Sequence, residues 1–260
     1  MVTFAVTWTA WAVVLALGGD PSSSPLTLAL WVVGGFGPPI GALVAARRDG
    51  DDRARDLLRR LIRWRVGLGW YALIAFPLAV AVAAVAILGW PAAPDASLLG
   101  TVTATVPAFV IMAVAGGGLE ELGWRGYAVP HLQARVGALP AAVGIGLVWA
   151  VWHLPLYAMV DTTQADGNFA WFTLQAVALS ILLTFVYNGT GDSLLLPVLL
   201  HAAVNSFYSS VLIHVEIVDY ARFEMLAAVL MSATAITVAA TRPRLHHPTR
   251  DTNPAGVPSP

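Results

Sequence analysis

The chain of 260 residues contains no cysteine, and only 11% of its residues are charged. Soluble domains carry about 25% charged residues, so this chain has less than half the usual share. The lack of cysteine excludes disulfides, thiolate metal sites and cysteine nucleophiles. There is also no lysine: all 14 cationic residues are arginine, which we attribute to coding bias, and the net charge of −1 argues against a nucleic-acid partner. What remains is 58% hydrophobic with a mean hydropathy of +0.73, which predicts an integral membrane protein.

Long apolar segments follow one another along the chain. A membrane-spanning helix needs about 20 apolar residues, and eight segments reach or approach this length: 2–18, 25–46, 70–89, 98–118, 139–160, 169–187, 194–213 and 225–240. Their apolar runs are continuous and do not alternate, which favours helices over a barrel. The fold class is therefore predicted as all-α, a polytopic membrane bundle of about eight transmembrane helices. The first segment lacks a cationic region and a cleavage site, so we expect a membrane helix there and not a removable signal peptide.

The arginines are concentrated in one loop between the second and third predicted spans. This loop contains Arg47, Arg48, Arg53, Arg55, Arg59, Arg60, Arg63 and Arg65. The positive-inside rule places such a loop in the cytoplasm. Eight spans then put both termini in the cytoplasm, as expected for a plasma (cytoplasmic) membrane protein. The positions of Arg125, Arg135, Arg242, Arg244 and Arg250 agree with this topology, and only Arg222 falls on the other side.

Four regions are predicted along the chain. Residues 1–97 form N-terminal membrane helices and include a basic cytoplasmic segment, 47–69, whose leucines recur at helical spacing. Residues 98–213 form the core that carries the polar motifs, and residues 214–240 form the last membrane helix. The polar, proline-containing tail 241–260 is predicted to be disordered.

Two adjacent carboxylates in an apolar context are the first candidate functional residues. Glu120 and Glu121 follow three glycines, and Arg125 lies four residues after Glu121. An ionised side chain at the bilayer centre costs at least 2.5–3.5 kcal/mol on insertion scales, so each needs a partner or a function. On a helix, Arg125 can pair with Glu121. Glu120 is then rotated about 100° away, and its carboxylate is left for another role.

Two later apolar segments each contribute polar side chains. Trp149 and His153 are four residues apart, so the indole can pack beside the imidazole. His201 and Asn205 have the same spacing, so both can donate hydrogen bonds into one cavity. Interfacial charges, a packing histidine and interhelical hydrogen bonding would each explain one of these features alone.

Together these residues resemble the CAAX prenyl protease and bacteriocin-processing (CPBP, Abi) family of intramembrane endopeptidases. That family has Glu-Glu-x-x-x-Arg, an aromatic-x-x-x-His and His-x-x-x-Asn on successive helices. This chain has Glu120-Glu121-x-x-x-Arg125, then Trp149-x-x-x-His153, then His201-x-x-x-Asn205. The usual aromatic residue is phenylalanine, so Trp149 departs from the pattern. The resemblance covers roughly residues 98–213.

The resemblance implies hydrolysis of a peptide bond in a membrane-associated protein or peptide, prenylated or otherwise lipid-anchored. By position, Glu120 would activate the water with help from His153. His201 and Asn205 would stabilise the oxyanion, while Glu121 and Arg125, with Trp149, would support the site. No cofactor is favoured, and the expected partners are the substrate and the lipid bilayer.

Several alternatives stay open at this stage. Glu120, His153 and His201 could together bind a catalytic zinc ion. The same residues could form a proton or cation path in a transporter, or the chain could be a non-catalytic scaffold. The predicted spans also raise a question of depth. Glu120 lies at the inner end of the fourth span, whereas His153 lies roughly 21 Å into the fifth. A common site requires the fourth helix to continue past Glu121 or the fifth to begin later.

Overall fold

The computed structural model describes residues 1–88, 98–214 and 220–242, and within these ranges it contains helices and no strand. The all-α prediction is confirmed. The α-helices are α1 (Val2–Ala16), α2 (Pro25–Gly35), α3 (Gly37–Arg48), α4 (Asp51–Leu61), α5 (Leu68–Ala72), α6 (Phe76–Leu88), α7 (Leu98–Val114), α8 (Glu121–Gly123), α9 (Val129–Val136), α10 (Ala138–Trp152), α11 (Phe169–Gly189), α12 (Leu195–His214) and α13 (Tyr220–Thr241). The residues outside the described ranges include the end of the third predicted span and the predicted disordered tail from residue 243. They also include Asp95, Glu216 and Asp219, acidic residues of the loops predicted to lie outside the cell.

Helices occur at each of the eight predicted spans. Among the described residues, five helical stretches are long and apolar enough to cross a membrane, and a sixth crossing results if the bent pair α2 and α3 is one span. Two further apolar helices, Val2–Ala16 and Leu195–Tyr208, are shorter. Large apolar side chains point outward: Leu68 is 85% exposed and Ile236 is 67% exposed. Such side chains suit contact with lipid, and the protein is an integral membrane protein.

The second predicted span is divided into two helices at Phe36. Helix α2 starts at a capping box in which Ser24 and Thr27 satisfy each other's backbone N–H groups. Helix α3 begins with Pro38 and Pro39 in its first turn and is bent by 48° from α2. Because proline lacks the N–H that a continuous helix needs, the break follows from these two residues.

The fourth predicted span differs most from expectation. It was predicted to end at residue 118, but α7 ends at Val114, residues 115–117 form a turn, and helical structure resumes at Gly118 and continues to Val136. The chain passes through a 3₁₀ turn (Gly118–Glu120), α8, a π-helical turn (Trp124–Ala128) and α9. Sixteen residues, or roughly 24 Å of helix, therefore separate Glu120 from Val136. Glu120 therefore lies beside the C-terminal turns of α10, where Trp149 donates a hydrogen bond to it. Glu120 and His153 thus lie at a common depth, as a shared site requires.

Two opposite faces of the bundle can be defined from contacts between loops. The arginine face comprises residues 49–67, 127–137 and 189–194; for example, Ser193 Oγ donates to the Arg63 carbonyl oxygen at 2.7 Å. The opposite face comprises residues 17–24, 159–168 and 220. There the Val160 N–H donates to the Gly19 carbonyl oxygen at 2.9 Å, and the Tyr220 hydroxyl donates to the Thr163 carbonyl oxygen at 3.2 Å. Helix α11 joins the faces with 21 residues, which span about 30 Å, a bilayer's hydrocarbon thickness.

Helices α1 and α3 approach each other closely at Gly37. A Cβ atom at this position would lie 2.0 Å from Thr7 Oγ1 and 2.7 Å from the Thr3 carbonyl oxygen. We expect Gly37→Ala to lower the free energy of unfolding by about 1–3 kcal/mol, the usual cost of overpacking. Thermal unfolding of the purified protein in detergent measures this. Gly35→Ala is the matched control, because a Cβ there meets no atom within 4 Å; equal midpoints for the two variants would contradict the packing argument.

Candidate active site

A cavity of about 480 Å³ lies between helices α1, α2, α7 and α10–α13. Its volume is in the range of ligand-binding pockets. Five of the residues singled out from the sequence line it: Glu120, Trp149, His153, His201 and Asn205. Glu121 and Arg125 lie behind this wall, where both side chains are fully buried. The structure thus brings the three predicted motifs to one place.

The Glu120 carboxylate is held by two indole groups. Its Oε2 accepts hydrogen bonds from Trp149 Nε1 at 2.8 Å and from Trp124 Nε1 at 3.2 Å. Among the residues that the structure describes, both donors approach the same oxygen, which leaves Oε1 for a molecule in the cavity. Glu120 is 7% exposed. The carboxylate is therefore fixed in direction and lies at the cavity wall.

Glu121 has a different environment from its neighbour. Its Oε1 accepts hydrogen bonds from Arg125 Nη1 at 3.1 Å and from His201 Nδ1 at 2.8 Å. The guanidinium of Arg125 also lies over the Trp149 ring, 5.2 Å from its centroid, a favourable cation–π geometry. The pairing of Glu121 with Arg125 agrees with the sequence, whereas the bond from Glu121 to His201 of α12 was not expected.

His153 is the C-cap residue of α10 and is buried between aromatic rings. Its Nδ1 lies 2.8 Å from the Trp149 carbonyl oxygen. Because a carbonyl oxygen only accepts, Nδ1 carries the hydrogen, and in the neutral imidazole Nε2 is then an acceptor. Trp152 and Phe172 contact the ring at centroid distances of 4.6 and 4.9 Å. These contacts restrict the imidazole to one orientation.

The backbone before Glu120 is fitted against α12. Asn205 Nδ2 donates to the Gly116 carbonyl oxygen at 2.7 Å. Gly117 has a φ of +114°, and a Cβ there would lie 2.7 Å from Asn205 Nδ2 and 3.0 Å from His201 Nε2. Only glycine satisfies both the positive φ and the close approach. Gly117 therefore lets the chain turn into the motif directly beside His201 and Asn205.

Sequence reasoning did not identify Trp124, Gly117 or Phe172 as individual parts of the site. Trp124 lies four residues after Glu120, so the helical spacing that indicated the Glu121–Arg125 pair could also have indicated this contact. The three glycines were noted, but only the structure shows which one needs its positive φ. No sequence pattern pointed to Phe172, which reaches His153 from another helix.

The three candidate zinc ligands do not form a ready metal site. Within the described ranges, no group of three His, Cys, Asp or Glu side chains is placed to hold a metal ion. The hydrogen bonds described above use Glu120 Oε2 and His153 Nδ1 and leave Glu120 Oε1 and His153 Nε2 toward the cavity. We derive no step through a metal ion.

Comparison with known protein families gives a match to the central part of the chain. The family model described as type II CAAX prenyl endopeptidase Rce1-like matches residues 101–207. Over this segment the chain is similar to the CAAX prenyl endopeptidase family. The match confirms the resemblance drawn from the motifs, and all seven motif residues, from Glu120 to Asn205, lie in the matched segment.

A curated relative matches about a third of this chain. It is the protein named CAAX prenyl protease 2 of Methanococcus maripaludis, 32% identical over 92 residues. The aligned part is 33% of this chain and 34% of the relative, so this chain matches about a third of the relative's length.

The burial of Glu121 and Arg125 predicts a large effect on stability. Arg125→Met leaves the Glu121 charge without its cation in a buried site, and breaking a buried pair in this way costs about 3–5 kcal/mol. We expect a strongly lowered unfolding midpoint and a lower level of protein in membranes. Arg55→Met is the control, because the Arg55–Asp52 pair is exposed, at 66% and 97%, and exposed pairs contribute about 0–1 kcal/mol. Similar losses for both variants would contradict the importance of burial.

Proposed function

We propose that this protein is an intramembrane endopeptidase that hydrolyses a peptide bond of a membrane-associated protein or peptide, prenylated or otherwise lipid-anchored. The observation that carries the proposal is the Glu120 carboxylate, fixed by two indole N–H groups at the wall of a cavity that also contains two histidines and an asparagine. The family match over residues 101–207 supports the same reaction class.

Glu120 acts as the general base in this proposal. Its Oε1 takes a proton from a water molecule, and the water oxygen attacks the carbonyl carbon of the scissile bond. The proton then passes to the leaving amine when the C–N bond breaks, so the carboxylate is regenerated. A positioned general base of this kind contributes about 10²–10⁴-fold to the rate.

His153 and His201 have different roles in the proposed reaction. With Nδ1 donating to the Trp149 carbonyl oxygen, neutral His153 has Nε2 available to accept a hydrogen bond from the attacking water and to orient it. His201 donates through Nδ1 to Glu121. When doubly protonated it presents an Nε2–H to the oxyanion, and the carboxylates of Glu120 and Glu121 balance the charges of His201 and Arg125. Asn205 lines the same wall and is assigned to the oxyanion with His201.

We further propose that the protein resides in the cytoplasmic membrane with the arginine face and both termini in the cytoplasm. The arginine-rich segment around α4 supports this orientation by the positive-inside rule.

Removal of the Glu120 carboxylate tests the mechanism. We expect Glu120→Ala and the isosteric Glu120→Gln to abolish cleavage while membrane level stays near wild type, since neither variant can accept the proton. His153→Ala and His201→Ala should lower cleavage comparably. Comparative proteomics of membrane fractions gives the measurement: new C-termini should occur with wild type and be missing with Glu120→Gln.

Asp52→Asn is the control for this experiment, because it removes an exposed carboxylate far from the cavity. Normal cleavage by Glu120→Gln would exclude Glu120 as the base. Elemental analysis of the active protein distinguishes the metal-free mechanism from the zinc alternative. Stoichiometric zinc that is lost together with activity on chelation would contradict the metal-free mechanism.

Trp149 provides a finer test of how Glu120 is positioned. Trp149→Phe keeps an aromatic ring but removes the N–H that donates to Glu120 at 2.8 Å. A hydrogen bond to a charged group contributes about 1.5–3 kcal/mol, so we expect roughly 10-fold or greater loss of cleavage rate. Trp31→Phe is the matched control in the same cavity, because the Trp31 indole N–H has no hydrogen-bond partner among the described residues. Equal rates for the two variants would show that the indole bond has no role.

A further inference from the structure

Three glutamates are buried among the residues that the structure describes: Glu120, Glu121 and Glu224. Glu121 is bound by Arg125 and His201, and Glu120 accepts hydrogen bonds from two indole N–H groups. Glu224 lies in the second turn of α13, is 6% exposed and has no part in the proposed reaction. Its carboxylate is therefore the buried acidic group that the mechanism leaves unexplained.

The contacts of Glu224 compensate its charge only in part. Its Oε2 accepts a hydrogen bond from the Asn168 backbone N–H at 2.8 Å. Within the described ranges, no cationic side chain forms an ion pair with it. An uncharged amide could accept the same hydrogen bond, whereas a carboxylate within a membrane helix is costly and by default marks a functional site. Attachment of the loop before α11 therefore does not account for a carboxylate at this position.

Glu224 lies in the wall of the catalytic cavity, among aromatic residues. Tyr157, Phe172 and Tyr220 line the same cavity. The Tyr157 hydroxyl is buried and has no hydrogen-bond partner among the described residues. The charge of Glu224 acts on the phenol groups of both Tyr157 and Tyr220. Since Asn168 uses Oε2, the Oε1 atom of Glu224 is left for a molecule in the cavity.

This part of the cavity is close to the catalytic residues. The Phe172 ring lies 4.9 Å from the His153 ring and 5.9 Å from the Tyr157 ring, measured between centroids. The rings of His153 and Tyr157 are therefore no more than about 11 Å apart, a distance covered by roughly three residues of extended chain. A side chain near the scissile bond of a bound peptide can thus reach Tyr157.

The residues around Glu224 have the chemistry of a cation site. A carboxylate attracts a cation, the faces of aromatic rings stabilise it, and a phenol oxygen accepts a hydrogen bond from its N–H groups. The described lining of the cavity contains no arginine that would compete for the carboxylate.

We propose that Glu224 and Tyr157 form a subsite for a cationic side chain of the substrate, arginine or lysine, within about three residues of the scissile bond. The identity of this ligand rests on the proposed protease function. The preference of the cavity for a cation depends only on Glu224 and its surroundings, so it can be measured without a substrate.

Thiol labelling measures this preference, because the chain has no cysteine of its own. Gln164→Cys places a single thiol in the lining near Glu224, since a Cβ at Gly167 would lie 3.2 Å from Glu224 Oε1 and 3.4 Å from the Gln164 carbonyl oxygen. In neutral detergent, a trimethylammonium thiosulfonate should label this thiol faster than a sulfonate-bearing one, relative to their rates with a free thiol. Adding Glu224→Gln, which keeps an acceptor for the Asn168 N–H, should lower the ratio of the two rates by roughly 5-fold or more.

Asp166→Asn is the matched control for the labelling, because it removes an exposed carboxylate of the same loop that does not line the cavity. Glu224→Asp should keep the preference for the cationic reagent. Equal rates of the two reagents in the Gln164→Cys protein would overturn the subsite, as would a ratio that Glu224→Gln lowers no more than Asp166→Asn. Failure of both reagents to react would overturn it too, because a cation could then not reach Glu224.

Cleavage specificity tests the subsite in the working protease. In the proteomes of membrane fractions, Glu224→Gln should lower, roughly 10-fold or more, the new C-termini that have arginine or lysine within about three residues of the cut, and it should leave the other sites unchanged. An equal loss at all sites, no loss at any site, or wild-type sites without a nearby cationic residue would contradict the subsite.

The two proposals fail in different ways. Normal cleavage by Glu120→Gln would refute the protease mechanism, but a labelling ratio that depends on Glu224 would still establish the cation site. Inactive Glu120→Gln together with a ratio that Glu224→Gln leaves unchanged would keep the protease and remove the subsite.

Discussion

The rest of the site depends on the buried contacts that Glu121 makes with Arg125 and His201. Both members of the Glu121–Arg125 pair are fully buried, and charges in such a place are tolerated only when they are paired and hydrogen-bonded. The bond to His201 connects the motif to α12, a helix 80 residues later in the chain. It also fixes which ring nitrogen of His201 faces the cavity. Because Glu121 satisfies this network, Glu120 is left to face the other way.

The irregular backbone from Gly116 to Ala128 follows from the same contacts. Gly116 meets Asn205, Gly117 passes His201 and Asn205 with a positive φ, and Glu121 meets His201. A straight α-helix could not make these contacts and continue to Val136. The chain instead changes from a 3₁₀ turn to a π-helical turn, a local winding often found at functional sites.

The sequence predicted the parts of the fold and site that arise from local spacing. Apolar runs gave the helices, and spacing of four residues gave the Glu121–Arg125 pair and the Trp149–His153 contact. Contacts between distant helices could not be found in this way, because spacing along one helix carries no information about its neighbours; the Glu121–His201 bond and the Trp149–Glu120 bond are examples. The end of the fourth span was misplaced for a related reason. Charged residues ordinarily mark a membrane interface, but here they are paired inside the bundle, and helical structure resumes after the turn at 115–117 and continues beyond them.

Trp149 shows how these contacts connect the chemistry to the shape of the cavity. At this position the family pattern has phenylalanine, which has no N–H, whereas the indole here donates to Glu120 and also lies beside Arg125 and both histidines. One ring thus contacts both halves of the site, with Glu120 on the cavity side and the buried charges behind. Those charges and the adjacent apolar cluster of Leu57, Leu122, Tyr187 and Leu194 fill the space toward the arginine face, whereas the described lining of the cavity reaches the opposite face. The interactions that hold the Glu120 carboxylate are therefore the same ones that give the cavity its direction.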